Sequence, residues 1–227
     1  MSSSDIVEHV ENNHVEEEND DQSSDGNENE APVSIPSDSV LNKEFPLKYP
    51  WGFYFLSNEK NLDWMERLSL ICHLKSVEDF WSFIDRIRPP SVMSQCDYSL
   101  FKHDIRPVWE EPENKQGGRL VFQLAKQDQQ LLNELWLKLM LAMIGSYFGE
   151  VDDQICGAVC SSRQKGSKIS LWTTDATKEE AIRQIGAKLK EIWGHINPRG
   201  SDIQLHYECH SDAQTKLSSA VPRKFTI

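Results

Sequence analysis

The chain has 227 residues, with 24 Lys and Arg against 36 Asp and Glu, which gives a formal net charge of −12. This balance excludes a broad, nonspecific nucleic-acid-binding surface, because such a surface needs an excess of cations. The excess of acid is local. Residues 1–40 contain 12 of the acidic side chains and no Lys or Arg, so residues 41–227 are neutral overall.

Residues 1–41 are predicted to form a disordered acidic tail. They contain no aromatic residue, and all seven Trp lie between Trp51 and Trp193. A segment of this composition buries too little apolar surface to offset the entropy that it loses on ordering. Residues 42–227 are therefore predicted to form one folded domain, which is long enough to enclose a sizeable core.

The N-terminus and the cysteines predict a protein of the cytoplasm, with the nucleus as a second compartment. The acidic N-terminus lacks the basic region and the apolar stretch of a secretory signal. No apolar run reaches the roughly 18 residues that a membrane-spanning helix needs. The five Cys are an odd number without closely paired spacing, which favours reduced thiols.

The first predicted elements are two strands and a helix. Residues 51–56 are rich in aromatic side chains, and residues 67–74 alternate in part, as strands do. Ser76 and Asp79 have the spacing of a capping box that opens a helix. Apolar residues then recur at helical spacing: Val77, Phe80, Trp81, Ile84 and Ile87. Pro89 and Pro90 end this helix, and residues 91–118 are predicted to be irregular.

The second half of the chain mixes strands and helices without regular alternation. Strands are predicted at residues 119–124, 155–161, 168–173 and 203–208. A long helix is predicted over residues 129–147, and its second apolar face indicates a helix covered on two sides or a partner site. Thr177 and Glu180 have the spacing of a capping box that opens another helix. This mixture predicts an α+β fold with a largely antiparallel sheet.

Aromatic residues in two polar or irregular stretches are the first candidates for a binding site. Trp109 and Glu110 follow each other in an irregular stretch, and Trp64 ends a polar loop. A ring can stack on a planar base, and a carboxylate can accept two N–H groups from a guanine edge. The alternative for Trp109 is that it only pins its loop to the core.

Three cations in one short turn are the second candidate. Arg163, Lys165 and Lys168 lie between two predicted strands, where they can converge on phosphate oxygens. The alternative is an ordinary solvated turn, which is the commoner origin of a short basic cluster.

A metal site is the weakest candidate. Cys156 and Cys160 are expected to share one face of a strand, and His206, Cys209 and His210 lie near the C-terminus. Their spacing fits no common zinc pattern. The sequence therefore predicts no metal, no cofactor and no catalytic residue.

Eight stretches, in order along the chain, match a known family. They are residues 45–47, 51–56, 77–81, 97–102, 105–110, 114–119, 155–159 and 168–173. On these stretches the sequence resembles the eukaryotic translation initiation factor 4E family, the messenger RNA cap-binding proteins, from about Pro46 to the C-terminus. The resemblance implies a curved antiparallel sheet with three long helices on its convex face and a cap-binding slot on the concave side.

The resemblance also assigns roles at that slot. The residues matching the family's base-binding positions are Trp64, Trp109, Glu110 and Trp172. Those matching its phosphate-binding positions are Arg119, Arg163, Lys165 and Lys168. Methylation at N7 gives the guanine a positive charge, which strengthens its stacking on Trp faces and would let the site reject unmethylated guanine.

A second site, for protein partners, is implied on the convex side. The matching positions are Pro46, Val77, Trp81, Leu137, Leu141 and Gly145. The implied partners are capped messenger RNA and either the scaffold initiation factor 4G or 4E-binding repressors, which carry Tyr, four residues, Leu and a hydrophobic residue. The chain is expected to be a monomer within such a complex, without membrane contact.

Three functional hypotheses remain open at this stage. The first is an initiation factor that recruits capped messenger RNA to the small ribosomal subunit. The second is a cap-binding repressor that recruits silencing partners instead of the scaffold. The third, an enzyme that hydrolyses the cap, is disfavoured because no clustered metal-binding carboxylates are present. Lys138 lies where the family usually has an acidic residue, and Ser219 lies near the family's C-terminal phosphorylation position.

Overall fold

The computed structural model describes residues 44–196, 203–214 and 222–227. The predicted tail and Ser219 lie outside these residues. The strands are β1 Pro46–Leu56, β2 Leu68–Ser76, β3 Asp97–Lys102, β4 Gly118–Ala125, β5 Ile155–Ser161, β6 Gly166–Thr173, β7 His206–Cys209 and β8 Phe225–Thr226. The α-helices are α1 Trp64–Arg67, α2 Val77–Ile84, α3 Pro112–Lys115, α4 Leu131–Ile144, α5 Glu179–Gly194 and α6 His210–Gln214.

The strands form one curved sheet in the order β2-β1-β3-β5-β6-β4-β7-β8. Every pair of neighbouring strands for which a register is described is antiparallel. The predicted α+β class with an antiparallel sheet is therefore confirmed. Among the described residues, no helix combines the length and the apolar composition needed to cross a bilayer.

The central strand β3 shows that residues 91–118 were wrongly predicted to be irregular throughout. It lies between β1 and β5. Tyr98 and Leu100 are buried in the main core, whereas Phe101 is buried in a second cluster on the opposite face. A strand buried on both faces has no alternation of polar and apolar residues, so the pattern that reveals a half-exposed strand is missing.

Helices α2, α4 and α5 share the main hydrophobic core with one face of the sheet. The indole N–H of Trp193 on α5 donates to the carbonyl of Leu135 on α4 at 3.0 Å, which joins the two long helices. Helix α2 has 8 residues and ends at Ile84. A turn follows, in which the amide of Ile87 donates to the carbonyl of Phe83. The opposite face of the sheet is free of these three helices.

The two predicted capping boxes have different outcomes. At α2 the box is confirmed, because the amide of Asp79 donates to the Ser76 hydroxyl at 3.1 Å and the amide of Ser76 donates to the Asp79 carboxylate at 3.2 Å. At α5 it is wrong. That helix begins after Lys178, and the hydroxyl of Thr177 donates to Asp175 at 2.7 Å. The box fails because the N-cap residue of this helix is Lys178, one residue after Thr177.

The predicted shared face of Cys156 and Cys160 is also wrong. A register shift between Ile155 and Gly157 interrupts the pairing of β5 with β6. Cys160 belongs to the main core and Cys156 to the second cluster, as expected when a bulge reverses the alternation. Within the described ranges, no group of three or more His, Cys, Asp or Glu could hold a metal ion.

Candidate functional site

A cavity of about 300 Å³ lies on the face of the sheet opposite the three helices. It brings together side chains that are up to 116 positions apart in the sequence, from Leu56 to Trp172. Seven of the eight residues that the sequence assigns to this face line it: Trp64, Trp109, Glu110, Arg119, Arg163, Lys168 and Trp172. The eighth, Lys165, is exposed in the turn between β5 and β6 and does not line the cavity.

Trp64 is the first residue of α1, not a loop residue as predicted. Asp63 caps this helix in a capping box with Glu66, whose carboxylate accepts from the Asp63 amide at 2.9 Å. The amide of Ser57 donates to the carbonyl of Arg67 at 3.0 Å and closes the segment onto the end of β1. These hydrogen bonds hold the backbone of Trp64. The residue itself is 41% exposed, and its side chain lines the cavity.

The loop that carries Trp109 is held by a buried side chain that the sequence did not single out. The amide nitrogen of Asn114 donates to the carbonyls of Arg106 and Val108, at 3.0 and 2.8 Å. Asn114 is completely buried and lies in α3, the short helix that begins at Pro112. Such an amide satisfies loop carbonyls that would otherwise be unpaired. It therefore fixes the backbone immediately before Trp109.

Trp109 both packs against the second cluster and borders the cavity. The alternative, that this ring only pins its loop, accounts for its contact with the second cluster and not for its position at the cavity. Glu110 follows it, is exposed, and also lines the cavity. The Glu110 carboxylate has no hydrogen-bond or ion-pair partner among the described residues, so its acceptor capacity is available to a ligand.

Trp172 forms part of the cavity wall from β6 and is nearly buried. Its ring packs edge-to-face on Phe101, with centroids 5.3 Å apart, and lies 4.2 Å from the ring of His210. Burial, together with the charge of Arg119, lowers the pKa of His210 to about 3. His210 is therefore neutral at physiological pH, and Trp172 rests on an uncharged support.

Two of the cations at the cavity are already paired with carboxylates. Arg119 contacts Glu208 at 2.7 Å, and Arg163 contacts Asp97 at 2.6 Å. Burial acts to raise the pKa of Glu208, but the hydrogen bond with His206 and the charge of Arg119 outweigh it and lower that pKa to about 2. Neither carboxylate was singled out from the sequence.

Lys168 is the third cation of the wall. Burial, followed by the nearby charge of Arg119, lowers the pKa of its ammonium group. Among the described residues it has no hydrogen bond or salt bridge. An anion in the cavity would supply the counter-charge that Lys168 lacks.

The residues implied in protein binding lie around α2 and α4. Pro46 pairs with Ser76 across β1 and β2, next to the exposed Val77 and Trp81. Leu137 and Leu141 are half-buried on α4. Gly145, which follows α4, is exposed. A cavity of about 140 Å³ lies between the end of α2, at Ile84, and α4, and Leu137 is the one of these six residues that lines it.

Comparison with known proteins gives the family. A family model described as eukaryotic initiation factor 4E matches residues 46–224. The chain belongs to the eukaryotic initiation factor 4E family. Within this family, eukaryotic translation initiation factor 4E of Aplysia californica is 40% identical over 195 residues, which cover 85% of this chain and 88% of that protein.

Solved structures of initiation factor 4E proteins match the fold. Ascaris suum eIF4E-3 in complex with m2,2,7G cap has a TM-score of 0.73 and 36% identity, and the match covers 82% of this chain and 99% of that chain. Caenorhabditis elegans eIF4E-3, in complex with the 4E-binding protein Mextli and a cap analog, has the same TM-score and identity, with 82% and 100% covered.

Proposed function

We propose that this chain binds the 7-methylguanosine cap of messenger RNA in the 300 Å³ cavity. It would bind a scaffold protein on the opposite face of the sheet, where the three helices lie. The chain would thereby recruit messenger RNA to the small ribosomal subunit, with residues 42–227 as the cap-binding domain. The observation that carries this proposal is the single cavity that combines Trp64, Trp109 and Glu110 with three cations. The eIF4E-3 structures with cap ligands support it.

The base would be recognised by its shape and charge. Trp64 and Trp109 offer the two faces of a sandwich, and stacking contributes about 1–3 kcal/mol per base. A base that is positive through N7 methylation gains a further cation–π attraction. The unpaired carboxylate of Glu110 would accept the N–H groups of the guanine edge, and Trp172 would contact the N7 methyl group.

The phosphates would lie along the basic wall. Lys168 and Arg163 border the cavity, and Lys165 stands in the turn beyond it. Phosphate oxygens would give the Lys168 ammonium group a direct ion pair, which none of the described residues provides. Arg119 would support them from β4.

The protein partner would lie on the surface formed by α2 and α4. Trp81 is 43% exposed on α2, with Leu137 and Leu141 on α4. An amphipathic partner helix carrying Tyr, four residues, Leu and a hydrophobic residue fits such a surface. The match to the complex of eIF4E-3 with Mextli supports this part of the proposal.

Fluorescence quenching of tryptophan by 7-methyl-GTP tests the cap-binding proposal. We expect saturable quenching at micromolar ligand and much weaker quenching by GTP, because GTP lacks the charged base. Glu110→Ala should lose binding, whereas Glu113→Ala, an exposed carboxylate that does not line the cavity, should retain it. Equal quenching by GTP and 7-methyl-GTP would refute the proposal.

A repressor role is the second candidate, since several similar structures contain a 4E-binding protein. Capture of the chain on cap resin, followed by identification of the protein bound with it, distinguishes the two roles. In both roles the chain would act in the cytoplasm, and it would bind the cap without cleaving it. Incubation with capped RNA should therefore release no cap nucleotide, and release of such a product would contradict a non-catalytic role.

A further inference from the structure

A row of three side chains crosses strands β6, β4 and β7 at the cavity. Arg119 is directly opposite Trp172 on one neighbouring strand and Glu208 on the other. Residues directly opposite each other in an antiparallel pair project from the same face of the sheet. Glu208 therefore belongs to the face that carries the cavity, immediately behind one of its cations.

Contacts within the protein use most of the hydrogen-bond acceptor capacity of the Glu208 carboxylate. Its Oε2 accepts from Nε of Arg119 at 2.8 Å and from Nη2 at 2.7 Å. Its Oε1 lies 3.1 Å from Nε2 of His206. The side chains of Arg119 and Glu208 are only 15% and 11% exposed, so water screens this pair weakly.

The charge of Arg119 is thus offset before any ligand arrives. Its Nη1 group has no partner among the described residues, so the guanidinium keeps donors that can face the cavity. The carboxylate behind it would repel each negative charge that a ligand adds. Asp97 has the same relation to Arg163 at 2.6 Å, so two of the three cations lining the cavity carry a partner carboxylate.

We propose that Glu208 is a specificity-determining residue, which offsets Arg119 and reduces the preference of the site for caps with more phosphates. This inference rests on the proposed cap-binding function. With Glu208 present, recognition depends mainly on the methylated base. Without it, each added phosphate would meet a wall with one more net positive charge.

Titration of wild type and Glu208→Gln with 7-methyl-GMP and 7-methyl-GTP tests this inference. Glutamine keeps an acceptor for Arg119 and removes the charge. We expect the ratio of the affinity for 7-methyl-GTP to that for 7-methyl-GMP to rise about three- to tenfold. Glu180→Gln, an exposed residue that does not line the cavity, makes the same change in net charge and should leave the ratio unaltered. An unchanged or lower ratio in Glu208→Gln would overturn the inference.

A second variant keeps the test decisive if Glu208→Gln does not fold, because that change leaves a buried cation without its counter-ion. The double variant Arg119→Gln with Glu208→Gln removes the pair and preserves the net charge. Both affinities should fall, because the donors of Arg119 are lost, but the ratio of the affinity for 7-methyl-GTP to that for 7-methyl-GMP should stay within about twofold of wild type. A tenfold fall in this ratio would show that Arg119 acts with its full charge and would overturn the inference. A wild-type chain that fails to bind 7-methyl-GTP would overturn the proposed function as well, and this result is distinct from a failure of Glu208 alone.

Discussion

Lys168 in the cavity carries a charge that the folded chain disfavours. Lys168 is a largely buried cation whose pKa is lowered, first by burial and then by Arg119. A lowered lysine pKa means that the folded chain disfavours the charged form. Sites that must receive a charged ligand commonly have this property, because their charges are left without full compensation until the ligand binds.

Replacement of Lys168 by methionine should separate these two effects. We expect the free energy of unfolding of the unliganded chain to rise, because a largely buried charge without a direct ion-pair partner is removed. The affinity for 7-methyl-GTP should fall at the same time. Urea denaturation and fluorescence titration measure the two quantities. Lys165→Met is the control, since Lys165 is exposed and should change only the affinity, in a salt-dependent manner. A destabilised Lys168→Met chain would contradict this view.

The Glu208 carboxylate should contribute to the acid stability of the fold. Its pKa of about 2 in the folded chain lies below the ordinary value of 4.5. The unfolded chain therefore takes up the proton first as pH falls. The contribution is complete above pH 4.5 and disappears as the pH falls towards 2. We expect Glu208→Gln to be less stable than wild type by about 2 kcal/mol at pH 7, and the gap to narrow near pH 3. A gap of equal size at both pH values would exclude this linkage.

The sequence identifies some of these residues and not others, for a physical reason. Trp109 and Glu110 stand out locally, as an aromatic and an acid in an irregular stretch. The roles of Asn114 and Glu208 depend on their partners in space. Arg119 and Glu208 are 89 positions apart, so nothing in the local pattern of either residue reveals the pair.

At the scale of the elements, the same local spacing does not always give the same cap. Ser76 and Thr177 both have the spacing of a capping box, yet Ser76 is the N-cap of α2 whereas α5 begins one residue after Thr177, with Lys178 as its N-cap. The amphipathic helices and the half-exposed strands were predictable from their periodicity. Strand β3 and the register shift in β5 were not, since burial on both faces and a bulge each remove the alternation.

The N-cap residue of α2, Ser76, can be compared directly with Thr177 before α5. We expect Ser76→Ala to lower the free energy of unfolding by about 1 kcal/mol, because the amide of Asp79 loses its acceptor. Thr177→Ala should cost less than half as much, since Thr177 is exposed and, among the described residues, its hydroxyl contacts Asp175 alone. Urea denaturation of both variants measures the difference. Equal losses would show that the two hydroxyls have the same role.

The whole molecule places the cavity and the exposed surface around Trp81 on opposite faces of one sheet. Residues of β1 contribute to the main core beneath the helices, while Leu56 at its end lines the cavity. Trp81 is exposed on the helix side and does not line the cavity. The cavity and the surface around Trp81 therefore share one sheet as framework without sharing side chains.

Trp81→Ala should consequently separate the two activities. We expect a peptide carrying Tyr, four residues, Leu and a hydrophobic residue to lose at least tenfold in affinity, since an exposed aromatic anchor is removed. The affinity for 7-methyl-GTP should remain within about twofold of wild type. Isothermal titration with each ligand measures both values. Loss of cap binding in this variant would indicate that the two faces are coupled.

The distribution of charge over the whole chain gives the last expectation. Deletion of residues 1–40 removes the entire net charge of −12, while the carboxylates at the cavity remain. The range of that charge is set by salt, because the screening length is about 30 Å at 10 mM and about 8 Å at 150 mM. We expect the shortened chain to bind a long capped RNA more tightly than the full chain at about 10 mM salt and equally at about 150 mM.

Two controls separate repulsion by residues 1–40 from a change at the site. The affinity for 7-methyl-GTP should change less than that for the long RNA, because the small ligand extends little beyond the cavity. Uncapped RNA should gain affinity by the same factor as capped RNA, since repulsion of the phosphate backbone does not depend on the methylated base. A long-RNA affinity that the deletion leaves unaltered at low salt would show that residues 1–40 exert no electrostatic influence on RNA binding.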